Sequence, residues 1–385
     1  MVNIPNMHIL SRKKIFLTVL PVLFVLLSSC SDEPAGKNNV RVIAYVHGAH
    51  FPAVKKMPAT SLTHINYAFA LIRDGVPYLP GEDDEKNLYY LTSLTSRNPG
   101  LRVLLSVGGW TGSKNFSDVA LTDSSRRLFA SRLAVLVSTY NLDGVDIDWE
   151  YPGQEGAGNI FRPADKYNFS LLLEAVRIAL DRTSFLSRDG KPYLLTVAAA
   201  ANREWLDHVF IEDIVQLVDF INLMTYDYHG DWDSRTGHHT NLYVTACERQ
   251  GYSLNRSVKM FLEAGVPRQK LVVGGAFYGY WWKGVAGKNH GLCQESTGSR
   301  GSMSYRLIAD SLMNLAGSEV FWDRKAHASW LWNKEEKMFV TFDDPRSLAG
   351  KAKYVKKKHL GGIMFWELSG DRDGELLKAV VTSIY

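Results

Sequence analysis

Four carboxylates fall within eight residues of the chain: Asp143, Asp146, Asp148 and Glu150 in the run Leu142-Asp-Gly-Val-Asp-Ile-Asp-Trp-Glu-Tyr-Pro152. Side chains alternate across a strand, so Asp146, Asp148 and Glu150 share one face while Val145, Ile147 and Trp149 share the other. Asp143 has the opposite parity and reads as structural. Two bland readings fit poorly. An exposed edge strand does not place Val, Ile and Trp so regularly opposite the acids, and a loop for a hard cation carries glycine and asparagine between its ligands. If the apolar face packs on helices, the acidic face points into a closed interior, where like charges and burial raise each other's pKa. The chemistry this permits is proton transfer. Glu150, last in the row and longest, is the general-acid candidate, with Asp146 and Asp148 beneath it expected to share a proton. A glycosidase also needs a nucleophile or base across the sugar ring, which neighbours on one strand cannot supply. Either another strand supplies it or the substrate does.

The elements that position this row recur along the chain. Short runs rich in Val, Ile and aromatics occupy 41–46, 63–70, 103–109, 144–150, 194–200, 220–227, 271–278 and 361–368, and segments such as 123–140 and 164–183 have the length and apolar spacing of covering helices. Eight such units predict an α/β fold, a (β/α)8 TIM barrel over 41–385, with Glu150 at the C-terminal end of strand four, where barrel active sites lie. The chain is longer than a bare barrel requires. The longest interval between strands predicts a small α+β insertion after strand seven, over 280–342. A division into two domains near residue 190 is the alternative, but residues 188–192 are too short for an interdomain linker.

The 385 residues carry a formal charge of +4, which would suit an acidic partner. Three of the positive charges are Arg12, Lys13 and Lys14, directly before the apolar run Ile15 to Leu27. That run has the length of a signal-peptide core and falls short of the ~18 residues of a membrane span. Without residues 1–29 the balance is 41 basic against 40 acidic residues, so nothing supports a nucleic-acid partner. The run ends in Leu27-Ser-Ser-Cys30 and resembles a bacterial lipoprotein signal. That resemblance implies removal of residues 1–29, acylation of Cys30, a polar tether over 30–40 reaching at most about 35 Å, and membrane contact through the lipid anchor alone. The location it implies is the cell envelope, at the outer membrane or cell surface.

The run from Asp143 to Glu150 resembles the Asp-x-x-Asp-x-Asp-x-Glu signature of glycoside hydrolase family 18, the chitinases and their relatives. Ser106-Val-Gly-Gly109 resembles that family's second motif, Met224-Thr-Tyr-Asp227 its third, and Gly361 to Leu368 its last strand. The resemblance implies a substrate-assisted, retaining hydrolysis of β-1,4 N-acetylglucosamine linkages, in which the N-acetyl carbonyl of the substrate is the nucleophile. It assigns proton transfer to Glu150, orientation of the acetamido group to Asp148, proton sharing to Asp146 and an acetamido hydrogen bond to Tyr226. Trp366 is expected to stack under the sugar at the cleavage site. Tyr45, Trp110, Met224, Asp227 and Tyr278 stand at substrate-contact positions. Tyr280 stands where related sequences often carry arginine, which puts one polar sugar contact in doubt.

The implied partner is a neutral N-acetylglucosamine polysaccharide or oligosaccharide bound by a monomer, with no cofactor and no metal. His229, His238 and His239 have no metal-ligand spacing, and Lys356 to Lys358 read as a solvated helix end. Trp281, Trp282, Trp322, Trp330 and Trp332 fit either a cleft wall or the packing of a small domain. Cys247 and Cys293 carry no redox or zinc pattern, and their pairing stays open. Two other functions share the fold: release of glycans from the chitobiose core of glycoproteins, and sugar binding without catalysis. Non-catalytic members of the family typically lack the glutamate that Glu150 supplies.

Overall fold

The computed structural model describes residues 40–55, 59–187, 190–245 and 251–385. The leader, Cys30, nearly all of the tether and Cys247 lie outside the described residues. Eight parallel strands form the centre: β1 (Arg41–His47), β2 (His64–Arg73), β3 (Arg102–Gly108), β4 (Gly144–Asp148), β5 (Leu194–Ala200), β6 (Phe220–Met224), β7 (Leu271–Ala276) and β8 (Gly362–Trp366). Each pairs with its neighbour in sequence, and β8 pairs back onto β1 (Arg41 opposite Gly362, Ala44 opposite Phe365), so the sheet closes into a (β/α)8 barrel.

The two periodicities of the sequence sort the core into an outer and an inner layer. Outward-facing Val145, Ile147 and Trp149 are fully buried. Trp149 stacks on Phe116 (centroids 5.3 Å) and meets Phe169 edge-on at 5.5 Å. Phe169 belongs to helix α2 (Asp165–Leu186), whose buried face is Phe169, Leu172, Leu173, Val176 and Leu180, the spacing of an amphipathic helix against a sheet. Helix α1 (Asp123–Thr139) begins at a capping box in which Thr122 and Ser125 each accept from the other's backbone N–H. Removal of one large side chain from this layer, such as Trp149→Ala, costs about 3–5 kcal/mol by the general behaviour of cores. The inner layer is smaller. Ile43, Tyr45, Ala68, Phe220, Val272 and Met364 fill the barrel interior around the polar cluster that holds Asp146.

Between β7 and β8 the chain forms a five-stranded antiparallel sheet. Its order is Arg300–Ser304, Tyr278–Trp282, Met338–Phe342, Ala328–Asn333 and Ser318–Asp323. The expected strand seven ran to Tyr278, but β7 stops at Ala276. Tyr278 pairs instead with Ser304 inside the antiparallel sheet. Phe277 N–H donates back to Trp366 C=O at 2.8 Å and its carbonyl accepts from Tyr305, so the chain turns out of the barrel there. The return is fixed by a buried ion pair: Lys351 on helix α3 (Pro345–Lys358) meets Asp343 Oδ2 at 2.5 Å, and that oxygen also accepts from Ala276 N–H at 3.0 Å. One charged pair thus ties the end of β7, the end of the insertion and the helix before β8.

Among the described residues, no helix is long and apolar enough to cross a membrane, and no group of His, Cys, Asp or Glu could hold a metal ion. Cys293 is disulfide-bonded. His229 and His239 each approach an aspartate, Asp233 at 3.3 Å and Asp227 at 3.9 Å, and His238 lies 3.5 Å from Asp323.

Candidate active site

Strand β4 carries the row of acids from the middle of the barrel to its rim, and each acid meets a different environment. Asp146 is fully buried and accepts four hydrogen bonds: Tyr45 Oη and Ser106 Oγ on Oδ2, both at 2.8 Å, and Thr196 Oγ1 at 2.5 Å and Asn222 Nδ2 at 3.2 Å on Oδ1. Burial raises its pKa and the four donors oppose that rise. Asp148, one pleat higher, is also buried, yet among the described residues its Oδ1 has no hydrogen-bond partner. Burial drives its pKa well above the carboxylate range, with the nearby charges of Glu150 and then Asp146 adding to the rise. Asp146 and Glu150 thus both bear on the Asp148 carboxyl, with Glu150 the larger influence of the two.

Glu150 lies just past the strand, partly exposed at the floor of a cleft. Its pKa is pushed up to about 7, first by desolvation and then by the charge of Asp227, against a lowering hydrogen bond with the Tyr151 hydroxyl. The backbone that carries it is clamped. Glu150 N–H donates to Ser113 Oγ at 2.8 Å, and the same hydroxyl lies 3.1 Å from Asp148 C=O and 2.9 Å from Gly109 C=O. Gly109 N–H completes the clamp by donating to Asp148 C=O at 2.9 Å. Gly108 has φ of +111°, and a Cβ there would lie 2.2 Å from the Asp148 carbonyl oxygen. That close approach explains the glycine.

The cleft encloses about 1490 Å³ above the C-terminal ends of the strands. Asp148, Glu150 and Tyr226 line it, as do Trp366, Tyr45, Trp110, Met224, Asp227 and Tyr278; Asp146 lies beneath it. Three of these differ from expectation in detail. Tyr45 is buried and its hydroxyl is committed to Asp146, so it supports the acid row from below. Strand β6 ends at Met224 rather than Asp227, because Thr225 Oγ1 leaves the sheet to bridge Gly274 C=O and N–H at 2.7 and 2.8 Å. Asp227 consequently has φ of +60° and reaches into the cleft mouth, where the hydroxyls of Tyr278 and Tyr280 both donate to its Oδ1. Tyr278 reaches that carboxylate from the insertion. Tyr280, in the position noted for its missing arginine, makes a neutral contact at 3.1 Å.

Among the described residues the Tyr226 hydroxyl meets only a weak acceptor, Met364 Sδ at 4.0 Å, and burial with the surrounding acids raises its pKa. Trp366 stacks offset on Phe69 (5.5 Å, 23°) and tilts against Tyr45. Trp110 is half exposed at the cleft and packs on Tyr151 at 6.2 Å. Ser113, Thr196, Asn222 and Phe69 were missed in the sequence. Thr196 and Asn222 did leave a signal, each being a lone polar residue inside an apolar strand.

A barrel whose cleft gathers a carboxyl pushed up to about 7, a second carboxyl left open beside it and several tryptophans defines a carbohydrate-cleaving enzyme, a glycoside hydrolase. Residues 41–371 match the model for glycosyl hydrolases family 18, and the chain belongs to that family. Chitinase A1 of Niallia circulans is 34% identical over 98% of this chain, which spans 63% of that protein's length. Chitinase B of Serratia marcescens is 31% identical over 86% of the chain and 78% of its own length. Among solved structures, a family 18 N-acetylglucosaminidase from Paenibacillus barengoltzii superposes with a TM-score of 0.84 at 40% identity, covering 89% of this chain and 99% of that one.

Proposed function

We propose that the protein hydrolyses β-1,4 N-acetylglucosamine linkages in chitin or chitooligosaccharides, with retention and with the substrate's own acetamido group as nucleophile. One arrangement carries the reading: Glu150, whose carboxyl desolvation pushes up to about 7, lines a sugar-sized cleft beside a buried carboxyl, Asp148, whose Oδ1 has no partner among the described residues. Glu150 donates its proton to the glycosidic oxygen as the bond to C1 breaks. The acetamido carbonyl oxygen closes on C1, oriented by Asp148 at its N–H and by the Tyr226 hydroxyl at its oxygen. Glu150, now ionised, removes a proton from the water that opens the oxazolinium ring, so two inversions leave the configuration unchanged. Asp146 serves from below by fixing Asp148 in register. Trp366 supplies the apolar floor for the pyranose face.

Replacing Glu150 by Gln is expected to lower turnover of chitooligosaccharides by at least about 10³-fold while leaving their binding nearly intact. Undiminished cleavage would remove Glu150 from the acid role. The lipoprotein leader supports a second proposal, that Cys30 is acylated and anchors the enzyme to the cell envelope. Cys30→Ser should move the protein from the membrane fraction and abolish incorporation of labelled palmitate; unchanged labelling would contradict it.

A further inference from the structure

At the end of the barrel opposite the cleft, helix α3 finishes on Lys356, Lys357 and Lys358, all exposed, just before β8. Arg268, exposed in the turn that leads into β7, donates from its guanidinium to Lys358 C=O at 3.3 Å. Gly361 N–H donates to Arg268 C=O at 2.9 Å, and Gly361 C=O accepts from Arg41 N–H at 3.0 Å. The turns before β7 and β8 and the start of β1 therefore form one patch, where the chain enters the barrel.

Four cations here stand out in a mature chain of 41 basic and 40 acidic residues. Cations in a last helical turn complement the helix dipole, but Arg268 comes from another element, and acids at this end are committed elsewhere. Asp143 pairs with Arg102 and Lys191, Asp219 with Arg177 at 3.5 Å, and Glu263 with Lys259 at 3.6 Å. Among the described residues no carboxylate pairs with any of the four cations. Across the same end, before β5, α2 finishes on Phe185 and Leu186. They are 85% and 71% exposed, the two most exposed large apolar side chains among the described residues. Cations that hold anionic headgroups, with apolar side chains that enter the boundary beneath them, are the two parts of a peripheral membrane surface.

We infer that this end of the barrel rests on an anionic lipid bilayer through Arg268, Lys356, Lys357 and Lys358, with Phe185 and Leu186 entering the headgroup boundary, and so holds the cleft facing away from the membrane. The occupant follows from the connection: the chain between Cys30 and the barrel joins at Arg41, beside the patch. The inference rests on the acylation proposal only for bringing the barrel to a bilayer; the surface itself acts without it.

The test uses the mature chain, residues 30–385, carrying Cys30→Ser so that no lipid contributes. It is pelleted with vesicles of phosphatidylethanolamine and phosphatidylglycerol, or with vesicles of phosphatidylcholine alone. Binding at low ionic strength should be at least about tenfold stronger on the anionic vesicles and should fall toward the neutral level at high salt, where headgroup attraction is screened. The triple variant Lys356→Glu, Lys357→Glu, Lys358→Glu should lose that preference. The same charge change at exposed positions of the insertion, Lys325→Glu, Lys334→Glu, Lys337→Glu, should keep it. Phe185→Ser should weaken binding to the anionic vesicles at least about threefold. Equal pelleting with both kinds of vesicle, or an equal loss in the two triple variants, would overturn the inference. So would a dimer in solution that Phe185→Ser dissociates, since that gives the face to a second copy of the chain. The acylation proposal stands or falls separately, on the labelling of Cys30.

Discussion

Asp146 and Glu150 stand four residues apart on one strand and its exit, yet the protein treats them in opposite ways. At the bottom, Asp146 is saturated by hydroxyl and amide donors from β1, β3, β5 and β6, so its carboxylate links four strands. At the mouth, Asp148 and Glu150 are desolvated without full compensation, and burial raises both. The lesson is that burial alone does not make a carboxyl reactive: the number of donors aimed at it decides whether it becomes a strut or an acid. The donors that saturate Asp146 are not matched at Asp148, whose Oδ1 lacks a partner among the described residues.

The contrast can be broken at either level. At the bottom, Thr196→Val removes one donor from a buried carboxylate at nearly constant volume. It should cost about 2 kcal/mol of stability, measured by denaturant unfolding, with kcat/KM changed less than about threefold. A loss of activity without loss of stability would erase the distinction. At the mouth, Ser113→Ala frees the Glu150 N–H and the Asp148 carbonyl from their shared hydroxyl. Turnover should fall about tenfold, equivalent to about 1.4 kcal/mol of barrier, with KM unchanged within about twofold. A rise in KM with kcat intact would show that Ser113 shapes binding rather than the placement of the acid.

Much of this was legible in the sequence because it rests on parity. The alternation of acids and apolar residues in 143–150 requires an inward and an outward face, and Trp149 packs on Phe116 and Phe169 as that alternation demands. The continuous apolar strands gave away the closed parallel sheet. What escaped were contacts set by side-chain hydroxyls at strand ends. Nothing in the spacing of Thr225 says that it will leave the sheet to bridge Gly274 and end β6 three residues early, or that Tyr278 will pair with Ser304 instead of extending β7. The commitment of Tyr45 to Asp146 depends on the barrel's stagger, which brings residues 101 positions apart within 2.8 Å. Ser113 was hidden for the same reason, since it acts through the backbone of residues 35 and 37 positions away.

The most direct test of the account is the pH dependence of kcat/KM on an N-acetylglucosamine oligomer, because its basic limb reports the acid in the free enzyme. With Glu150 held at about 7 by desolvation and the charge of Asp227, the protonated and active form prevails below that pH and is lost above it. The rate should therefore fall about tenfold per unit well above pH 7, and the limb should move to lower pH in Asp227→Asn. A flat profile through pH 9, or a limb near the ordinary carboxyl value of about 4.3, would contradict the central claim that the mouth of β4 keeps Glu150 protonated.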